Sequence, residues 1–147
     1  MKIKPPRKIL SKLKQLKSLK GASVVVGFPK GWNAYPDGTP VAMVATVHEF
    51  GSPAQNIPSR PFFRTTLFVN KNYKELRIEK FTMIMNGKLP VIMAMNQLGD
   101  TIKNDIVDSI IAIKSPKLKD NTIKRKGSSN PLVDTGHLKQ SVTYKVI

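Results

Sequence analysis

From Pro90 to Ile113 the chain carries Val91, Met95, Leu98, Ile102, Ile106, Ile110 and Ile113 at spacings of three and four. That period places all seven on one face of an α-helix, with Asp100, Lys103, Asn104 and Asp108 largely on the other. A helix of this length presents one long apolar stripe, and the fold must be arranged to cover it. Residues 62–86 read as a second long helix, ended by Gly87. Ala22–Phe28 is a β-branched run stopped by Pro29, and Val142–Ile147 sets Val142, Tyr144 and Val146 on one side, so both predict strands. Val41–Phe50 is ambiguous by period, but its alanines and methionine after Thr39-Pro40 favour helix. Arg7–Lys20 predicts a short amphipathic helix with Ile9, Leu13, Leu16 and Leu19 in its stripe and Gly21 as its stop. Pro29–Pro40, Gly51–Pro61 and the polar, basic Ser115–Pro131 read as loops or arms. The expected class is α+β, a small β-sheet packed against two longer α-helices, with long loops and a basic N-terminal helix. Residues 1–21 are expected to form a helical extension and residues 22–147 a single domain.

Composition narrows the function classes. A chain of 147 residues that is 40% hydrophobic supports one core and not two. Without cysteine it makes no disulfide and no thiolate metal site, which fits maturation in a reducing cytoplasm. No secretory signal is expected, and no apolar run approaches the ~20 residues that span a bilayer, so no membrane partner is expected. Charge is the unusual property: 25 Lys and Arg against 9 Asp and Glu give +16. Such an excess repels itself in a compact monomer and favours anionic partners. Lys2, Lys4, Arg7, Lys8, Lys12, Lys14, Lys17 and Lys20 crowd the start with no acid among them. Lys117, Lys119, Lys124, Arg125 and Lys126 form a second cluster.

Three local patterns invite an enzymatic reading, and each meets a simpler one. Leu132-Val133-Asp134-Thr135-Gly136 reads like an aspartic-protease loop, in which two such loops pair their carboxylates. Only residues 135–147 follow Asp134, too few for the flap and strands such a loop supports, so a turn at Asp134 and Gly136 leading into the last strand is the better reading. His48-Glu49 lacks the second histidine of a zinc protease, since Ser52 stands at that position. His137 close to Asp134 has no obvious nucleophile beside it. No catalytic residue, metal or cofactor is expected. The aromatic residues Phe28, Trp32 and Tyr35 near Lys30 offer a stacking surface, although aromatics in a Pro/Gly loop more often anchor the loop or fill a subunit contact. For Lys8, Lys12, Lys14, Lys17, Lys20, Lys124, Arg125 and Lys126 two readings stand: salt-dependent contact with phosphates, or docking on an acidic protein neighbour. No recognition helix, zinc finger or RNA-binding aromatic signature accompanies them. The apolar stripe beside the N-terminal lysines tilts that segment toward a protein neighbour.

Two segments carry more than composition. Val47-His48-Glu49-Phe50-Gly51-Ser52-Pro53 followed by Ile57-Pro58-Ser59-Arg60-Pro61-Phe62-Phe63-Arg64 resembles a block of phage tail-completion and head–tail joining proteins. Leu98-Gly99 with Ile106–Ile110, then Pro116, Thr122, Lys126 and Pro131–Leu138, resembles the closing pattern of the same family, and Val24–Phe28 its opening strand. The resemblance spans most of residues 22–147 and leaves the basic N-terminal helix outside. It implies a non-enzymatic virion protein of a tailed bacteriophage, made in the host cytoplasm and placed at the head–tail junction. There it would form a ring of six or twelve copies around the DNA channel, contacting neighbouring connector and tail proteins and, non-specifically, packaged DNA. Under this reading Phe50, Arg60, Phe62, Phe63 and Arg64 form the subunit interface. Arg60 before Pro61 is held extended, and its guanidinium is a fork suited to carboxylates or carbonyls of a neighbour. Phe62 and Phe63 behind it can plug a core or an interface. The main alternative is a basic nucleic-acid-binding module outside the virion.

Overall fold

A computed structural model describes residues 6–29, 31, 33–69, 73–133 and 135–147. The fold is α+β, with seven helices and a small two-stranded antiparallel sheet among the described residues, and the longest helix packs against the strands. In chain order the elements are α1 (Arg7–Leu19), β1 (Val24–Gly27), α2 (Val41–Phe50), α3 (Phe62–Arg64), α4 (Tyr73–Met85), α5 (Val91–Ala112), α6 (Asp120–Lys126), α7 (His137–Gln140) and β2 (Thr143–Val146). A single 3₁₀ turn, Pro53–Gln55, and a π-helical turn, Thr65–Val69, sit between α2 and α4.

The chain divides into two compact units. One unit comprises residues 1–25, 72–101 and 144–147; the other comprises residues 26–71 and 102–143. In the first, α1 meets α4, and Ile84, Ala94 and Leu98 are its buried side chains. Nothing on α1 is buried: Ile9, Leu10, Leu13 and Leu16 are each about half exposed. Ser23 and Ile147 exchange backbone hydrogen bonds at 2.9 Å in both directions, which closes the end of the sheet. Gly99 of α5 lies against the ring of Tyr144 on β2, whose hydroxyl donates to Asp100 at 3.2 Å. The second unit holds the larger core, in which Val41, Phe62, Ile106, Ile110, Leu138 and Val142 are buried together.

Two expectations are corrected. Residues 62–86 are not a regular α-helix throughout: α3 gives way after one turn to the π-helical turn at Thr65–Val69, and α4 is described from Tyr73 to Met85. The Phe62 carbonyl there accepts the Thr66 hydroxyl at 2.7 Å and the Ser109 hydroxyl at 3.0 Å beside the Thr65 backbone N–H, so side chains share an acceptor that a regular helix reserves for the backbone. The polar stretch 115–131 is not all loop, because Asp120–Lys126 is helical. Asp120 opens α6, Lys124, Arg125 and Lys126 close it, and Gly127 at φ 68° ends it, each suiting the helix dipole or the left-handed stop. With Ile123 as the one apolar residue of its seven, α6 carries no period to read.

The Gly99–Tyr144 contact gives a test of the first unit. A Cβ on Gly99 would fall 2.7 Å from Cγ of Tyr144, inside the ring's contact distance. Gly99→Ala is therefore expected to lower stability by about 1–3 kcal/mol in urea unfolding, although alanine is the better helix former. In a Tyr144→Ala background the same change should raise stability by up to about 1 kcal/mol. Equal effects in both backgrounds would show that the ring does not set the requirement for glycine.

Candidate functional site

The block from Glu49 to Arg64 folds as one physical unit. Val41, Ala45 and Glu49 recur every four residues on α2 and are all buried, so an acid occupies the last position of an apolar stripe. Gly51 then turns the chain at φ 78°, where a Cβ would lie 2.8 Å from the Ser59 nitrogen and 3.0 Å from the Ile57 carbonyl, so only glycine fits. Ser52 and Ile57 pair their backbones around the 3₁₀ turn, and the returning strand of chain lets Arg60 N donate to His48 O at 2.7 Å. α3 begins after Pro61 with no capping side chain of its own. The Glu49 carboxylate supplies the cap: Oε2 accepts Phe63 N at 2.8 Å, and Oε1 accepts Arg64 N at 3.0 Å and Arg64 Nε at 2.9 Å. Arg64 Nη2 and the Ser59 hydroxyl both donate to the Glu49 carbonyl at 2.9 Å. A buried carboxylate is costly unless its lone pairs are filled, and here three donors fill them.

This geometry sorts the five expected interface residues. Arg60 is 3% exposed and Phe62 1% exposed, so both belong to the interior of the protomer and are withdrawn from the subunit interface. Arg60 directs Nε and Nη2 to the Pro116 carbonyl at 3.1 and 2.9 Å, an acceptor in its own chain, and burial lowers its pKa. Phe62 stands edge-on to Phe28, with ring centroids 6.2 Å apart. Phe50, 64% exposed, and Arg64, whose guanidinium lies 4.9 Å from the Phe50 ring centre, remain at the surface, with Phe63 partly buried beside them. These three residues line a groove of about 360 Å³, with Val26, Phe28 and Ala42 on its other wall.

The cationic residues also separate. Lys8, Lys12, Lys14, Lys17 and Lys20 are exposed along or just after α1, and Lys124 and Arg125 are exposed on α6. Lys126 is different: its ammonium donates to the Asn130, Pro131 and Val133 carbonyls at 3.1–3.3 Å, fastening the turn that follows α6, so it is corrected from a partner contact to an internal clamp. Gly136 adopts φ 80° immediately before α7, while Asp134, Lys30 and Trp32 lie outside the described residues. Tyr35 instead packs on His137, with ring centroids 4.8 Å apart. No cluster of three or more potential metal ligands occurs among the described residues. No helix among them is long and apolar enough to cross a membrane.

Sequence reasoning passed over Glu49 as half of an incomplete zinc motif. The usable signal was its place on the Val41–Ala45–Glu49 stripe with Arg64 downstream, since an acid on a buried stripe needs a cation or peptide N–H partners. Glu49→Gln is expected to cost about 2 kcal/mol or more, measured by urea unfolding, because the neutral amide weakens three hydrogen bonds at once. Arg64→Gln should cost less, since half of that side chain is already in water and the carboxylate keeps its two backbone donors. The opposite ranking would displace Glu49 as the organising group.

His48 supplies a pH dependence. Burial first, then the charges of Arg60 and Lys126, lower its pKa from 6.5 to about 4, and its Nδ1 is buried with no hydrogen-bond partner. The folded chain holds this imidazole neutral, so its contribution to stability is complete above pH 6.5 and is lost as pH falls toward 4. The urea midpoint is expected to fall between about pH 7 and pH 5, and His48→Gln should flatten that slope. An unchanged slope in the variant would assign the dependence to other groups.

No protein-family model, curated protein or solved structure matches this chain.

Proposed function

We propose that the chain is a structural protein of the virion of a tailed bacteriophage, a tail-completion or neck component. It joins the head connector to the tail as a homo-oligomeric ring around the DNA channel, at the head–tail junction. The observation that carries the reading is the surface left by the Glu49–Arg64 block: an exposed Phe50 under the Arg64 guanidinium, beside a groove with apolar walls. An arginine stacked on an exposed aromatic ring at the mouth of an apolar groove has the make-up of an interface core. Phe68, 82% exposed, and Met43, 58% exposed, extend the apolar surface of the same unit. The other unit leaves Ile78, Phe81, Ile92 and Met93 about half exposed, as well as the α1 stripe. A chain with +16 charge and this much apolar surface is suited to burial against partners. A ring needs two different patches that meet head to tail, and the Phe50 groove provides one of them.

The revised interface is Phe50, Phe63 and Arg64, with Arg60 and Phe62 serving the fold behind it. The exposed lysines of α1 face acidic neighbours or packaged DNA. The rival reading, a basic nucleic-acid-binding module, is favoured by the charge and gains nothing from the Phe50 groove.

Light scattering coupled to size exclusion, with negative-stain images, tests the proposal. The wild-type protein should give ring-shaped particles of six or twelve copies. Phe50→Asp should give monomers with an unchanged circular-dichroism spectrum, since Phe50 contributes little to the core. A wild-type protein that stays monomeric and binds DNA tightly would replace the ring with the rival reading.

A further inference from the structure

A second cleft, of about 750 Å³, lies between the turn at residues 55–60 and the segment 117–131. Its deepest cation is Arg60, whose guanidinium is bonded to the Pro116 carbonyl. A carbonyl accepts two of the five N–H donors of a guanidinium and leaves its charge uncancelled, which is costly in a desolvated place. Lys117, Lys119 and Arg125 add three exposed cations to the same walls, and none of them is ion-paired among the described residues. No Asp or Glu lines the cleft among those residues. Glu49, although next to His48, bonds to Arg64 and lines the Phe50 groove instead, and Asp120 of α6 is outside the lining. A concave surface with this balance concentrates positive potential and lowers the cost of Arg60 when an anion enters.

The rest of the lining selects among anions. Ile57, Pro58, Leu118 and Pro131 are aliphatic, and no Phe, Tyr or Trp lines the cleft. Single-stranded nucleic acid binds through aromatic faces on which its bases stack, and these are missing; a duplex is too wide to enter. Carboxylates interspersed with aliphatic side chains match both the charge and the apolar surface. We propose that this cleft is a docking site for an extended acidic segment of a partner protein. The carboxylates lie on Lys117, Lys119 and Arg125, and the aliphatic side chains lie against Ile57 and Leu118. This assignment does not rest on ring assembly, and it separates the cleft cations from the lysines of α1.

The probe is a short fluorescein-labelled peptide with leucines interspersed among glutamates, followed by anisotropy at physiological salt. An oligo-dT strand of equal charge is the comparison. Reversing the cleft with Lys117→Glu, Lys119→Glu and Arg125→Glu together should weaken peptide binding by about tenfold or more. The equal reversal on α1, Lys8→Glu, Lys12→Glu and Lys17→Glu, should weaken it less than about twofold. All six positions are exposed, so both variants should keep the wild-type circular-dichroism spectrum. The single change Arg125→Gln should produce a smaller loss in the same direction. Equal weakening by the two reversals would reduce the effect to bulk charge and overturn the site. Wild-type protein that ignores the peptide, or that holds oligo-dT more tightly through the same three residues, would overturn it as well.

Discussion

One carboxylate holds the middle of the chain together. Glu49 ends the buried stripe of α2 and accepts the first free N–H groups of α3, which Pro61 cannot cap. Without that acceptor, Phe63 N and Arg64 N would lose their partner at a partly buried helix start, and orphaned peptide groups there are expensive. The same carboxylate holds the Arg64 guanidinium, which in turn lies over Phe50. The entry of Phe62 into the core, the direction of α3 and the exposure of Phe50 thus share one origin.

The two arginines of the block show how the fold divides similar side chains. Arg60 and Arg64 stand four residues apart, yet Pro61 lies between them and the regular helix begins only at Phe62. Arg60, on the extended side, has its own backbone N–H tied to His48 and its side chain tied to Pro116. Arg64, on the helical side, turns back over α2. His48 stays neutral first because it is buried, and the charges of Arg60 and Lys126 nearby push its pKa further the same way. The imidazole also lines the cleft that Arg60, Lys117, Lys119 and Arg125 share.

Much of the fold was legible because long periodic segments announce themselves. α5, α1, α2 and both strands lie within a few residues of where period and punctuation put them. The π-helical turn at Thr65–Val69 was not legible, since Thr65 and Thr66 fit a helical period, while the hydroxyls of Thr66 and Ser109 that reach the Phe62 carbonyl there meet it only in the folded chain. α6 escaped because six polar residues around a single Ile123 have no period to display. At the candidate site the motif was visible but its orientation was not. Arg60 and Phe62 read as outward anchors, whereas the turn at Gly51 folds the segment back so that both point inward.

By itself the sequence determined the types of α1, α2, α5 and the two strands, the α+β class and the excess of positive charge, because these follow from spacing and composition within short stretches. Tertiary structure decided which polar groups met: Glu49 with α3, Arg60 with Pro116, Lys126 with the turn at 130–133. Those choices join residues up to 56 positions apart, as in Arg60 with Pro116, and local pattern carries no information at that range. They are settled only when burial removes water and each buried donor or acceptor must find its partner in the folded chain.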